Sequence, residues 1–282
     1  MVYKLNNAIY VTGITGFIGS GVLPHLLDKF SRVINFTRRG SVQIIEKNKI
    51  VEKKLSTDFI KRNPAKIFIN LATLYQPYPA SNIELNNLIE ANILFPSRII
   101  EKLKKFQSLK VINALSYHQL LDFPSQNVYS LSKELLKKFL DHQNFKIVNV
   151  YIFDTFGLGD TRNKVTDIFI KNILDGQSIT IPTNEIKINL TDLESISTSL
   201  MRCLELDPGS YSIQSPDTVS LESLARLIME ITSSDVEIIK ENTGANYFDL
   251  IETFPENIFL PPSKYDFKVS LKARIDEIKY ES

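Results

Sequence analysis

One cysteine, three histidines, almost no net charge and no apolar run of 18 residues narrow the field before any motif is read. Cys203 alone cannot form an intrachain disulfide, and its setting in Ser199-Leu200-Met201-Arg202-Cys203-Leu204 reads as the buried side of a helix, which suits a reducing cytoplasm. His25, His118 and His142 have no metal-ligand spacing with one another or with Cys203, so no metal site is expected. No Gly-x-Ser-x-Gly elbow occurs, which removes the usual serine-hydrolase signature. With 33 Lys+Arg against 32 Asp+Glu, and with basic stretches such as Lys102 to Lys105 lying inside amphipathic patterns, nothing suggests a nucleic-acid surface. Met1 to Asn7 is polar and lacks the regions of a signal peptide, so neither export nor a membrane span is expected.

The 282 residues, 43% of them hydrophobic, are enough to bury a large core. Short β-branched runs at Ala8 to Thr12, Arg32 to Thr37, Lys66 to Asn70, Leu109 to Asn113 and Lys146 to Phe153 read as strands. Between them, Phe17 to Lys29, Ile83 to Phe106 and Val128 to His142 carry apolar residues three and four apart, as helices do. Strand and helix in alternation predict an α/β Rossmann fold, a doubly wound parallel sheet. After about Gly157 the rhythm loosens, with turn signals at Asp175-Gly176, Pro182, Asp207-Pro208-Gly209 and Pro261-Pro262 and helices expected at Asp192 to Leu206 and Leu221 to Ile231. The expected organisation is a nucleotide-binding domain over 1–156 and a smaller substrate-binding lobe over 157–282, some of whose elements return to the main sheet.

The segment Thr12-Gly13-Ile14-Thr15-Gly16-Phe17-Ile18-Gly19 joins the first strand to the first helix. In that context Gly13 permits a tight turn, Gly16 lets the backbone approach a pyrophosphate and Gly19 lets the helix pack on the strand. Thr12, Thr15, Phe17 and Ile18 join these glycines as candidate cofactor contacts; the alternative is a strand-to-helix turn without a ligand. At the end of the second strand, where NAD would call for a carboxylate, stand Arg38 and Arg39. Guanidinium groups suit a 2′-phosphate and favour NADP(H), unless both arginines are simply solvated loop residues.

Tyr129 and Lys133 lie four apart at the start of a predicted helix and share a face. A tyrosine near its solution pKa of about 10 is a poor acid-base group at neutral pH, and a lysine ammonium beside it is expected to lower that pKa. Ser116, at the end of the fourth predicted strand, brings a hydroxyl able to steady a carbonyl oxygen as charge develops on it.

These residues resemble the extended short-chain dehydrogenase/reductase family, also called the NAD-dependent epimerase/dehydratase family, over nearly the whole chain. Asn70-Leu71-Ala72 is similar to the family's cofactor-side strand end, and Glu90-Ala91-Asn92-Ile93 resembles the helix whose asparagine supports the active site. Asn189-Leu190-Thr191-Asp192-Leu193 is similar to its strand-plus-Asp element, and Gly209 to Ile213 with Ser220 to Ala225 resembles its final strand and helix. Asn92 could equally be a packing amide and Asp192 a helix cap. More narrowly, Phe153 to Lys164 together with Asn113 to Gln119 resembles the branch of CDP-abequose and CDP-paratose synthases, departing from relatives at Tyr151 and His118.

That resemblance implies NADPH-dependent reduction of the C4 ketone of a CDP-4-keto-3,6-dideoxyhexose for O-antigen lipopolysaccharide. Tyr129, Lys133, Ser116 and Asn92 would be catalytic, Leu71 and Ala72 would touch the cofactor, and Thr73, Ser116, Tyr117, His118, Asp154, Thr155, Arg162 and Lys164 would meet the sugar nucleotide. Arg162 and Lys164 could also be solvated loop charges, and His118 an ordinary loop histidine. The resemblance further implies a homodimer paired through Ile83–Phe106 and Val128–His142. Two other readings stay open: a nucleotide-sugar 4-epimerase or dehydratase that keeps NAD tightly bound, and a non-catalytic dinucleotide sensor.

Overall fold

The computed structural model describes residues 5–47, 49–76, 79–105, 109–121, 127–242, 258–260 and 266–281. The first half runs β1 (Leu5–Thr12), α1 (Phe17–Lys29), β2 (Phe30–Phe36), β3 (Ser41–Glu46), β4 (Lys49–Lys54), α2 (Thr57–Arg62), β5 (Ala65–Asn70), α3 (Asn82–Ile89), α4 (Phe95–Leu103), β6 (Lys110–Ser116), α5 (Val128–Asp141) and β7 (Lys146–Ile152). The second runs β8 (Asp154–Phe156), α6 (Val165–Leu174), β9 (Ile179–Pro182), β10 (Lys187–Ile188), β11 (Leu190–Asp192), α7 (Leu193–Arg202), β12 (Gly209–Ile213), β13 (Val219–Ser220), α8 (Leu221–Thr232), β14 (Ile238–Glu241), β15 (Ile258–Leu260) and α9 (Phe267–Glu281). Among the described residues no helix is long and apolar enough to cross a membrane.

The main sheet has nine strands in the order β15-β12-β7-β6-β5-β1-β2-β3-β4. The seven from β15 to β2 pair in parallel, and β3 and β4 add an antiparallel hairpin at one edge. Successive side chains of a strand face opposite sides of a sheet, so β1 feeds two cores. Ile9 and Val11 pack with Val22 and Leu26 of α1 and Ile196 and Leu200 of α7, whereas Ala8 and Tyr10 pack with Ile99 and Leu103 of α4 and Leu136 and Leu140 of α5. A third core, including Phe169, Ile179, Leu224 and Leu271, lies between α6, α8, α9 and β9.

Because β1 lies between β2 and β5, the sheet order reverses direction there, and a crevice at the carboxyl ends of the strands is where such sheets take ligands. A ladder of buried polar side chains crosses the same region. Thr12 Oγ1 donates to Asn70 Oδ1 (2.7 Å), Asn70 Nδ2 to Asn113 Oδ1 (3.0 Å), and Asn113 Nδ2 to Asn149 Oδ1 (3.2 Å), linking β1, β5, β6 and β7. Burying these amides is tolerable because each is partnered.

Three elements differ from the sequence-based expectation. The helix expected over Ile83 to Phe106 is two helices joined by a π turn at Glu90–Leu94, and Phe106 lies outside the described residues. The β3–β4 hairpin occupies a stretch in which no strand was predicted. The strand and helix expected to be final, β12 and α8, are followed by β14, β15 and α9.

Candidate active site

The glycine loop is built for close approach. Gly13 has φ +76°, a left-handed conformation that L side chains rarely adopt, and a Cβ there would stand 2.6 Å from the carbonyl carbon of Leu71. At Gly19 a Cβ would meet the Gly13 carbonyl oxygen at 2.2 Å, so α1 can pack this close only without one. Gly16 begins α1 with extended backbone and no side-chain cap, and the first turn carries no acidic residue. The first amides and the positive end of the helix therefore face outward beside exposed Thr15, as an anionic ligand requires. Phe17 and Ile18 are half-buried in the first turn, Leu71 and Ala72 are buried beyond β5, and Ala72 donates its amide to Thr12 Oγ1 (3.3 Å). Arg38 and Arg39 follow β2 and are exposed.

At the other side of the crevice, Asn127 and Ser130 form a reciprocal capping box that starts α5. That start places Tyr129 and Lys133 on the buried side. The Tyr129 hydroxyl faces those of Thr73 and Ser116, both of which pull its pKa down. Lys133 Nζ donates to the Ala114 carbonyl (3.2 Å) on β6, two residues before Ser116. Ser116 in turn caps a short turn, Tyr117–Leu120, whose Gln119 accepts from the Ser116 amide (3.0 Å) and donates to Glu134 of α5 (3.0 Å).

Asn92 occupies the π turn, an irregularity that recurs at functional sites. Its Oδ1 accepts from the Leu74 amide (2.6 Å) and from Thr73 Oγ1 (3.4 Å), and its Nδ2 donates to the Leu74 carbonyl (3.1 Å) and to Ser132 Oγ (2.9 Å). One amide thus joins the Thr73–Leu74 segment to α5.

An aromatic wall surrounds Tyr129. Tyr75 meets it edge-on at 5.0 Å and His118 at 6.2 Å between ring centroids, while Tyr117 stacks between His118 (4.3 Å) and Phe153 (5.1 Å). Lys164 Nζ lies 3.5 Å from the centre of the Tyr75 ring, a cation–π contact. Asp154 faces Tyr117, Lys164 and Arg162, all of which pull its pKa down. Arg162 is held elsewhere: its guanidinium binds the Asp160 carboxylate and both oxygens of Thr155, 4.0 Å from the ring centre of Phe17. The structure therefore brings Thr73, Ser116, Tyr117, His118, Asp154 and Lys164 together around Tyr129, whereas Thr155 and Arg162 bind one another. Asp192 caps α7, accepting from the amide (3.0 Å) and hydroxyl (2.6 Å) of Ser195.

A sequence profile of the NAD dependent epimerase/dehydratase family matches residues 9–188, which include the glycine loop, Ser116, Tyr129 and Lys133. The chain belongs to this family. The CDP-abequose synthase of Yersinia pseudotuberculosis is 26% identical over 247 residues, covering 82% of this chain and 86% of the relative. Among solved structures, the UDP-glucose 4-epimerase of Thermotoga maritima, determined with UDP-glucose, superposes with a TM-score of 0.75 at 18% identity over 97% of this chain and 99% of the other. The UDP-glucose 4-epimerase of Thermus thermophilus, determined with NAD, gives 0.69 at 16% identity over 96% and 99%.

In this family member burial dominates the titration of the site. It raises the Tyr129 phenol above its ordinary value, against the downward pull of Thr73, Ser116 and Arg162, which corrects the expectation of a lowered pKa. The physical reason lies in Lys133: burial brings its own ammonium down to about 7, and its resolved bond is to Ala114. His118 is pushed down to about 4 by burial and by Lys164, which keeps its ring neutral. Burial likewise raises Asp154, opposed by Lys164, Tyr117 and Arg162. Sequence reasoning missed Tyr75, which a lone tyrosine in a loop did not signal, and the amide ladder, which reads in sequence as isolated strand-end asparagines.

Proposed function

We propose that this chain is an NADPH-dependent reductase of nucleotide-sugar 4-ketones whose substrate is a CDP-4-keto-3,6-dideoxyhexose, yielding CDP-paratose or CDP-abequose for lipopolysaccharide O-antigen. The observation that carries this reading is the Tyr129–Ser116–Thr73 hydroxyl cluster, set in an aromatic wall at the carboxyl end of β6 with Lys133 buried behind it. The glycine loop supports a dinucleotide, and Arg38 and Arg39, standing where an NAD enzyme carries an acidic residue, support its 2′-phosphate. The cofactor, when bound, supplies hydride to the sugar C4. Ser116 holds the ketone oxygen by hydrogen bond, and Tyr129 Oη gives that oxygen its proton. Lys133 holds the nicotinamide ribose and, once charged there, favours the phenolate that proton donation leaves. Tyr75, Tyr117 and Phe153 offer apolar faces to a ring that lacks hydroxyls at C3 and C6. The likeness to the Yersinia pseudotuberculosis relative supports the same substrate class.

We assign the enzyme to the cytoplasm, with a catalytic domain over 1–156 and a substrate lobe over 157–282. A homodimer is supported by Ile83, Leu94, Leu131 and Leu135, large apolar side chains of α3, α5 and the π turn that are 46–73% exposed. Light scattering in solution tests it, and a monomer would refute it. The second reading, an epimerase with resident NAD, draws on the epimerase relative solved with that cofactor. Following NADPH and NADH oxidation optically with a CDP-4-keto-3,6-dideoxyhexose separates the two. Turnover with NADPH supports the reductase; no turnover, with NAD released on denaturing the protein, supports the epimerase.

A further inference from the structure

The loop from Gly157 to Lys164 contains neither helix nor strand, yet it carries Arg162 and Lys164. Its fastening comes from the far end of the chain. Arg274 of α9 is 4% exposed and binds both oxygens of Asp167 through Nε (2.9 Å) and Nη2 (2.8 Å). Its other bonds reach the Asp160 carbonyl and the Glu277 carboxylate. Glu277 accepts the Gly159 amide on both oxygens (2.9 and 3.1 Å). The fully buried Asp160 carboxylate then holds Arg162 through its amide (3.0 Å), Nε (2.7 Å) and Nη2 (2.6 Å). From α9 to Phe17 of the glycine-loop helix the chain of contacts is unbroken.

We propose that Arg274 is a positioning residue for nucleotide-sugar binding: from α9 its guanidinium sets the 157–164 loop so that Lys164 reaches the catalytic pocket and Arg162 abuts Phe17. Packing alone does not require an arginine here, because its helix neighbours Leu271, Ile275 and Ile278 bury apolar side chains in the same core. A buried ion pair is a weak source of stability compared with a well-packed apolar residue. What it supplies is direction, since a forked guanidinium bonded to an acid and a loop carbonyl permits one loop geometry. The inference rests on the substrate reading above.

The test uses Arg274→Met and, should that variant fold poorly, Glu277→Gln, which leaves the Arg274–Asp167 pair in place. Hydrogen exchange of the 157–164 amides should rise at least about tenfold in either variant, with exchange in α1 unchanged. The KM for the CDP-sugar should rise about tenfold while kcat stays within about threefold and the NADPH Kd within about twofold. Loop exchange equal to wild type overturns the proposal, as does a loosened loop with an unchanged KM and an unchanged Kd for CDP. Equal losses of kcat and NADPH affinity with a fallen Tm would mean a structural role only. A wild type that neither turns over the sugar nor binds CDP sinks the substrate reading, and loop exchange then still decides whether Arg274 sets the loop.

Discussion

Asn70 donates from Nδ2 to Oδ1 of Asn113 across 3.0 Å, tying the ends of β5 and β6 together. Both side chains are fully buried, and Asn113 passes the chain on to Asn149 at 3.2 Å. Replacing Asn113 with Leu leaves an unpaired donor on Asn70 and an unpaired acceptor on Asn149, each costing about 1–3 kcal/mol. Urea denaturation of Asn113→Leu should show a loss of about 2–4 kcal/mol. A loss under about 0.5 kcal/mol would mean that the ladder does not hold the strand ends.

Asn92 makes its argument through Leu74 and Ser132. Asn92→Ala frees the Thr73–Leu74 segment from α5, and displacement of a catalytic group by about 1 Å can cost about a hundredfold in rate. The kcat should fall about tenfold to a hundredfold with the NADPH Kd unchanged. An unaltered kcat would reduce Asn92 to a packing amide.

Lys133 gives the protein a pH signature. Burial lowers its ammonium to about 7, so above that pH the folded chain has released a proton that the unfolded chain keeps until about 10.4. Its contribution to stability therefore rises with pH across that window and is lost as pH falls toward 7. Lys133→Met should be more stable than wild type near pH 6, by up to a few kcal/mol, and the difference should shrink steadily toward pH 10. Thermal melts across that range check this, and a difference independent of pH would contradict an ammonium whose pKa burial lowers.

Arg38, exposed just after β2, is the residue that the proposed function assigns to the cofactor's 2′-phosphate. Arg38→Ala should raise the KM for NADPH about tenfold or more and leave that for NADH within about twofold. Equal effects on both would place the 2′-phosphate elsewhere.

Much of this was legible in the sequence because its signals are local. The Phe17–Lys29 helix is bounded by the glycine motif before it and a strand after it, and the structure has the same limits. Tyr129 and Lys133 share a face simply because they are four apart on a helix. The π turn at Asn92 was hidden, since Ile83 to Phe106 keeps helical spacing through it. Arg274 gave no signal in the sequence, because its partners Asp160 and Asp167 lie more than a hundred residues away. For the same reason the titration of Tyr129 was misjudged: spacing shows that a lysine is near, and only packing shows that both groups are buried.

The most direct test of the account is Tyr129→Phe assayed with NADPH and a CDP-4-keto-3,6-dideoxyhexose, alongside NADPH binding by the same variant. The change removes one hydroxyl and keeps the ring among its aromatic neighbours, so binding should stay within about twofold while kcat falls at least a hundredfold, about 2.7 kcal/mol or more in the barrier. A Tyr129→Phe enzyme that reduces the sugar at the wild-type rate would contradict the assignment of Tyr129 as proton donor, and with it the reaction proposed for this site.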